Sequence, residues 1–452
     1  MVSVRSAAVA GMFYPADAPT LAADLDELFA DAGDPAPRLG MPKVLISPHA
    51  GYLYSGAVAA RAFDELGAAR GLVRRVIMLG PVHRVPVRGL AVPSAAAFAT
   101  PLGAVPIDHG ALARLRGMPQ VVESDFVHVH EHALEVQLPF LQRQLGEFSL
   151  VPFAVGDASV EEVAQVVDEL WGGAETLIVI STDLSHYHAY AAARAIDRAT
   201  ITRIAGFATD LQPEEACGAT PLSGLLASAK RRSLAIKLLA ACNSGDTAGG
   251  KGQVVGYSSF ALREPGSEIS LDEVGSTLLA LARAAIEAKL FGAARGAEAP
   301  WLRQAGATFV TLTGDGELRG CIGSLQAERP LGADVAENAL AAAFRDPRFP
   351  AMTPGEWPRV RVEVSLLSAP KPLRFADEEE LVAQLRPGED GIILESQGRR
   401  ATYLPQVWDS IPDKRRFLRE LARKAGLPDE LRLSACKISR YRVMKWSETQ
   451  PS

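Results

Sequence analysis

The sequence predicts an α/β domain with a central, mostly parallel sheet over residues 1–262, a linker at 263–270, and an α+β domain with an antiparallel sheet over 271–452. Three observations carry that expectation. The chain has 452 residues, more than one ordinary core accommodates. In the first part, short aliphatic runs alternate with helical ones, as in strands joined by crossover helices. In the second part, β-like runs follow one another around a tight-turn dipeptide, as in hairpins.

Four runs are strand candidates in the first part: "KVLIS" (43–47), "RVIML" (75–79), "TLIVIS" (176–181) and "SLAIKLLAA" (233–241). Segments 57–71, 131–145 and 159–172 lie between them and read as helical; in the second, Leu134, Leu138, Leu141 and Leu145 have helical spacing and Pro139 predicts a kink or break. The β-like "VVGYSSFAL" is followed by the turn-rich "REPGSEIS" at 263–270 and then by the helical "LDEVGSTLLALARAAIEAKLF", which sets the domain boundary. Beyond it, Asp315-Gly316 between two β-like runs is a hairpin signal. "VRVEVSLLS" (360–368) and "GIILESQGRRATYLP" (391–405) read as strands, and 333–345 and 414–425 as helices.

Composition narrows the function classes. Hydrophobic residues make up 48% and charged residues 22%, which is globular rather than disordered. A formal net charge of −6 with no long basic run gives no strong nucleic-acid signal. The longest apolar stretch is broken by Arg283, Glu287 and Lys289, so no membrane span is expected. The N-terminal stretch makes a poor secretory signal, and a cytoplasmic location is the expectation. Cys217, Cys242, Cys321 and Cys436 form no CxxC pair, which argues against a zinc ribbon or an iron–sulfur site.

All eight histidines precede residue 190. Three strand candidates run straight into loops bearing His49, His83 and, behind Asp183, His186. Ligands of open parallel sheets gather beyond the carboxyl ends of the strands, where loops converge. A lone loop histidine is usually a hydrogen-bonding or turn residue, but three at equivalent strand ends favour a metal site of His49, His83 and His186, suited to Fe(II), Zn(II) or Cu. His186 and Asp183 are also the acid/base candidates, Asp183 orienting the imidazole. "HVHEHALE" (128–135) lacks the HExxH spacing of a zinc protease helix, so His130 and His132 are expected as substrate contacts or as residues of an exposed segment. Tyr52 and Tyr54 are candidate hydrogen-bond donors to an oxyanion, or packing residues. In the second part, Arg319 and Cys321 of "LRGCIGS" are the catalytic candidates; with no histidine there, a buried cysteine in a glycine-bent strand stands equally.

In order along the chain, "AAVAGMFYPAD", "PHAGYLYSG", "GPVHR", "EHALEVQLPFLQ", "STDLSHY", "ACGATPL" and "VVGYSSF" resemble the MEMO family, whose fold is similar to that of class III extradiol dioxygenases. "LRGCIGSL", "AAAFRDPRFPAMT", "VEVSLLS", "DGIILE" and "TYLPQVWD" resemble the AMMECR1 family over about 275–445. The first resemblance implies that His49 and His83 match the family's metal-binding histidines and that Asp183 and His186 stand beside the metal. It also implies a cysteine as third ligand, at a position that falls near Thr247 here, which leaves His186, Asp246 and Cys242 as candidates. The two families are associated with a radical-SAM protein, which would be a separate chain. The combined expectation is a metal-dependent, dioxygenase-like redox protein acting on a small-molecule or peptide substrate, its second domain presenting or modifying that substrate. The alternative is a non-catalytic module that binds a peptide or protein in the same cleft.

Overall fold

Strict alternation along three neighbouring strands explains their unbroken apolar runs. Leu45, Val76, Met78, Leu177 and Val179 enter one core cluster, while Val44, Ile46, Ile77, Leu79, Ile178 and Ile180 enter another. Both faces of the sheet are therefore buried, and a period-two polar pattern has no place in these strands. The computed structural model describes residues 3–32, 40–67, 69–267, 269–292, 296, 298–428 and 432–448. Gly40 apart, which groups with the second, they divide into two units, one over 3–267 and the other from Ile269 onward.

In the first unit, strands Val44–Ser47, Thr176–Ser181, Arg75–Pro81 and Ser149–Val155 lie side by side in that order, all parallel. The edges run the other way: Val254–Arg263 pairs antiparallel with Val44–Ser47, and Leu90–Val92 with Ser149–Val155. Ala235–Asn243 pairs antiparallel with Val254–Arg263, so the predicted strand at 233–241 exists outside the parallel core. Helix Val160–Leu170 opens with a capping box, the Ser159 hydroxyl accepting from the Glu162 N–H and the Glu162 carboxylate from the Ser159 N–H. Pro139 does not kink a helix. It occupies the first turn of Leu138–Leu145, where its missing N–H costs nothing, and a short 3₁₀ turn, Glu135–Gln137, precedes it.

The second unit contains two antiparallel sheets. In the first, Ala305–Gly314 lies between Glu317–Gly323 and Val360–Leu367, and Val443–Ser447 flanks the latter. The hairpin turn at Asp315-Gly316 has φ of 50° and 89°, the left-handed pair that asparagine or aspartate followed by glycine supplies. The predicted strand 391–405 is a second hairpin, Gly391–Ser396 with Arg399–Tyr403, turned by Gln397 and Gly398 at φ 52° and 73°. Helices Leu271–Phe291 and Leu331–Phe344 share one core with the first sheet. Among the described residues, no helix is long and apolar enough to cross a membrane.

The glycines of "LRGCIGS" are packing residues. A Cβ on Gly320 would sit 2.2 Å from the Ala342 carbonyl oxygen of helix Leu331–Phe344, and one on Gly323 would sit 2.2 Å from the Phe309 ring. Because the first obstacle is backbone, Gly320→Ala should cost about 1–3 kcal/mol. A lowered thermal midpoint for the second unit's transition in the full chain would show it, and an unchanged midpoint would refute the close-packing account.

Candidate metal centre

The three strands that end in histidine-bearing loops are adjacent in the sheet, so their loops emerge side by side. His49 follows Val44–Ser47 and is almost completely buried. Its backbone N–H donates to Asp183 Oδ1 (2.8 Å), tying the first loop to the one after Thr176–Ser181. Its Nδ1 lies 2.9 Å from Ser181 Oγ. That hydroxyl gives its single proton to the Ala133 carbonyl (2.6 Å) and accepts from Gln137 Nε2 (2.8 Å), so towards His49 it can only accept. His49 therefore carries its proton on Nδ1 and leaves Nε2 unprotonated, the tautomer a metal requires.

His83 is set the same way by a carboxylate. Glu131 accepts from the His83 backbone N–H (2.6 Å), His83 Nδ1 (2.9 Å), and the N–H groups of His132 (2.8 Å) and Ala133 (2.9 Å). Burial would raise the Glu131 carboxyl, but the hydrogen bond and charge of His83 and the backbone donors hold it down at about 2. An ionised Glu131 makes His83 Nδ1 a donor, which leaves Nε2 for an ion.

His49, His83 and His132 form the one group of metal-ligating side chains found among the described residues, their donor atoms all within 4.8 Å of one another. Ring centroids are 5.1 Å apart for His49 and His83, 4.7 Å for His83 and His132, and 5.5 Å for His49 and His132. His132 Nδ1 is buried 3.3 Å from Glu131 Oε1, without the alignment of a hydrogen bond. Burial holds the His49 imidazole well below its usual range, with the neighbouring histidines adding to the effect, and lowers His132 to about 4. Three imidazoles whose donor atoms converge in this way fit a divalent ion.

The grouping differs from the expected one at the third position. His186 is half-buried, and its Nδ1 donates to the Leu184 carbonyl (2.8 Å), which turns its ring without help from Asp183. It stands near enough to depress the His49 pKa yet outside the trio. His132, expected as a substrate contact, takes the third place because Glu131 pins it beside His83. His130 is exposed. Tyr52 is removed from the cleft: it is buried and gives its hydroxyl to the Val136 carbonyl (2.9 Å), while Tyr54 remains partly exposed. Asp246 is occupied by the Tyr190 hydroxyl and the Asn243 N–H, and neither it nor Cys242 enters the trio. In the second unit Arg319 pairs with Glu356 (2.9 Å), and Cys321 Sγ accepts from the Thr311 hydroxyl (3.3 Å). Sequence reasoning missed Glu131 and Ser181 as bracing groups. The one available hint was a carboxylate directly preceding His132.

Asp183 links the site to pH. Burial pushes its carboxyl up to about 7, against the His49 backbone hydrogen bond, the His83 charge and the Ala50 backbone hydrogen bond, which favour ionisation. An unfolded aspartate titrates near ~3.9, so the stability this group contributes is full below about 4 and is lost as pH rises through about 7. In metal-free protein, the thermal midpoint of Asp183→Asn minus that of the parent should therefore grow between pH 5 and pH 8. A difference that stays flat would contradict the assignment.

Residues 5–261 match the family described as Memo-like protein, and residues 279–446 match the AMMECR1 family. MEMO1 family protein MK0963 of Methanopyrus kandleri is 34% identical over 280 residues, covering 57% of this chain and 99% of that protein. MEMO1 family proteins of Thermotoga maritima and Aquifex aeolicus are each 34% identical, covering 57% and 56% of this chain and 99% and 97% of the relatives. A crystal structure of the uncharacterized protein PH0010 from Pyrococcus horikoshii is 31% identical, with a TM-score of 0.36 over 40% of this chain and 93% of that one. The chain belongs to the Memo-like protein family and joins that domain to an AMMECR1 domain.

Proposed function

We propose that the first unit binds a divalent metal, iron(II) in the working protein, through His49, His83 and His132, and carries out an oxidative reaction on a small or partner-presented substrate. The observation behind this is the meeting of three imidazoles, those of His49 and His83 braced by Ser181 and Glu131, beside the ends of parallel strands. Three nitrogen donors leave room at a mononuclear ion, and such an ion supplies Lewis acidity and one-electron chemistry. The protein's own residues do the rest. Ser181 and Glu131 hold the imidazoles in register, burial of His49 keeps bulk water from its Nε2, and Asp183, poised near neutrality, holds or releases a proton beside it. His186, its Nδ1 held by the Leu184 carbonyl, is the second acid/base group. Tyr54 at the exposed margin is the remaining aromatic contact for substrate.

A separate radical-SAM protein acting with this chain, and Arg319 and Cys321 as substrate contacts of the second unit, belong to the same proposal, as does the division of the chain at 263–270. The second reading, a binding module for a peptide or protein, has support in exposed apolar residues such as Leu53 and Tyr54 that closely follow His49. Anaerobic purification followed by elemental analysis and exposure to oxygen separates them. Stoichiometric iron that consumes oxygen supports the redox reading; absent metal with tight peptide binding supports the module.

A further inference from the structure

Cys217 is the sulfur nearest this site, and nothing in the three-histidine arrangement uses it. It lies in the loop before helix Ala219–Arg231, and that loop is pressed against the end of strand Thr176–Ser181. The Cys217 N–H donates to the Asp183 carbonyl (3.2 Å), and the Gly218 N–H to the Thr182 hydroxyl (2.9 Å). A Cβ on Gly218 would fall 2.7 Å from Thr182 Cβ, so a side chain there would push the loop away. So held, Cys217 Sγ accepts the Asp183 backbone N–H at 3.3 Å and lies 3.4 Å from His49 Nε2. That nitrogen is the one the Ser181 bond leaves unprotonated, so before an ion enters, the thiol S–H donates to it. A nitrogen and a sulfur bound tetrahedrally to one ion, at about 2.0–2.1 and 2.3 Å, are themselves about 3.5 Å apart. The observed separation matches that spacing; burial and the Asp183 charge push the Cys217 thiol up to about 12, so the thiolate forms with the ion, helped by the backbone N–H aimed at sulfur.

We infer that Cys217 is the sulfur donor of the site, joining the ion from the His49 side. The inference rests on the three-histidine reading and deepens it. Cys217 stands outside the atoms that already meet within 4.8 Å, so it is recruited when an ion draws His49 and the thiol together. On coordination the S–H bond breaks, its proton passes to solvent, and the sulfur electron pair is donated to the metal. A donor set of three nitrogens and one thiolate prefers borderline and soft cations such as Fe(II), Co(II), Zn(II) or Cu(I) over Mg(II) or Mn(II). The position is distinct from Cys242 and from Thr247, where the family resemblance would place a sulfur ligand.

Cobalt(II) titration of the reduced full-length protein, under nitrogen and followed by absorbance, tests this with no need for turnover. The expected result is visible d–d bands together with an intense near-ultraviolet sulfur-to-cobalt charge-transfer band, both saturating at one equivalent. In Cys217→Ser the charge-transfer band should vanish while the d–d bands persist, with affinity weakened at least about tenfold. Cys242→Ser should keep both. Parent protein showing d–d bands without charge transfer overturns the role of Cys217 but leaves the histidine site standing, and needs no variant to fold. Persistence of the band in Cys217→Ser, or its loss in Cys242→Ser, overturns the assignment too. No visible bands at all in the parent defeats the histidine reading itself, and this inference with it.

Discussion

His49→Ala is expected to abolish stoichiometric metal binding while leaving the protein folded. His49 brings one nitrogen to the trio and is the residue through which the first loop contacts Ser181 and Asp183. Its backbone N–H bond to Asp183 survives the substitution, so the loop should hold its place. Removing a group that merely braces a ligand typically weakens metal affinity 10–100-fold. Removing the ligand should do more, and His83→Ala should match it. Glu131→Gln gives the graded comparison. Its amide cannot accept every donor now on the carboxylate, so affinity should fall by about 10–100-fold without disappearing. Isothermal titration with zinc on metal-free protein would read all three. Equal affinity in the parent and in His49→Ala would remove this histidine from the site.

Glu135→Ala should destabilise the first unit by about 3–5 kcal/mol, the usual result of deleting one partner of a buried ion pair. Glu135 is fully buried and pairs with Arg5, itself largely buried. The same carboxylate accepts the N–H groups of Ala8 (2.7 Å) and Val9 (3.0 Å) and the Tyr14 hydroxyl. Without it, the Arg5 guanidinium stays in the interior with only the His128 and Glu131 carbonyls as acceptors. Arg5→Met with Glu135→Leu, which removes both charges, should recover much of the loss. Thermal melts of the single and double variants would show it. A single variant as stable as the parent would mean that the N-terminal segment is held by other contacts. Because Arg5 also binds the Glu131 carbonyl, loosening of this latch should weaken metal binding as well.

How much of this was legible depends on whether a feature is local in sequence. The strands at 43–47, 75–79 and 176–181 announced themselves as apolar runs because both faces of the sheet are buried, and His49 and His83 followed from strand ends. Strand direction is not written in such runs, which is why Ala235–Asn243 proved antiparallel. His132 follows no strand, so strand ends could not place it beside His49 and His83; its position is the work of Glu131, which binds both it and a residue 48 positions away. Cys217 was invisible for a related reason, since it reaches His49 across 168 positions through a loop between helices. The motif around Tyr14 and the one around Glu135 were both recognisable strings, but only folding shows that the first supplies hydrogen bonds to the second. In the second unit, Asp315-Gly316 named its turn, whereas Gln397-Gly398, a weaker signal for the same backbone, hid a hairpin inside one apparent strand.

The central claim is that the imidazoles of His49, His83 and His132 hold one ion. X-ray absorption at the iron edge, on anaerobic protein loaded with a single equivalent of Fe(II), measures it directly. The account predicts a shell containing three imidazole nitrogens at about 2.0–2.2 Å, lost in His49→Ala; a shell made only of oxygen, or a spectrum unchanged by that substitution, would contradict it.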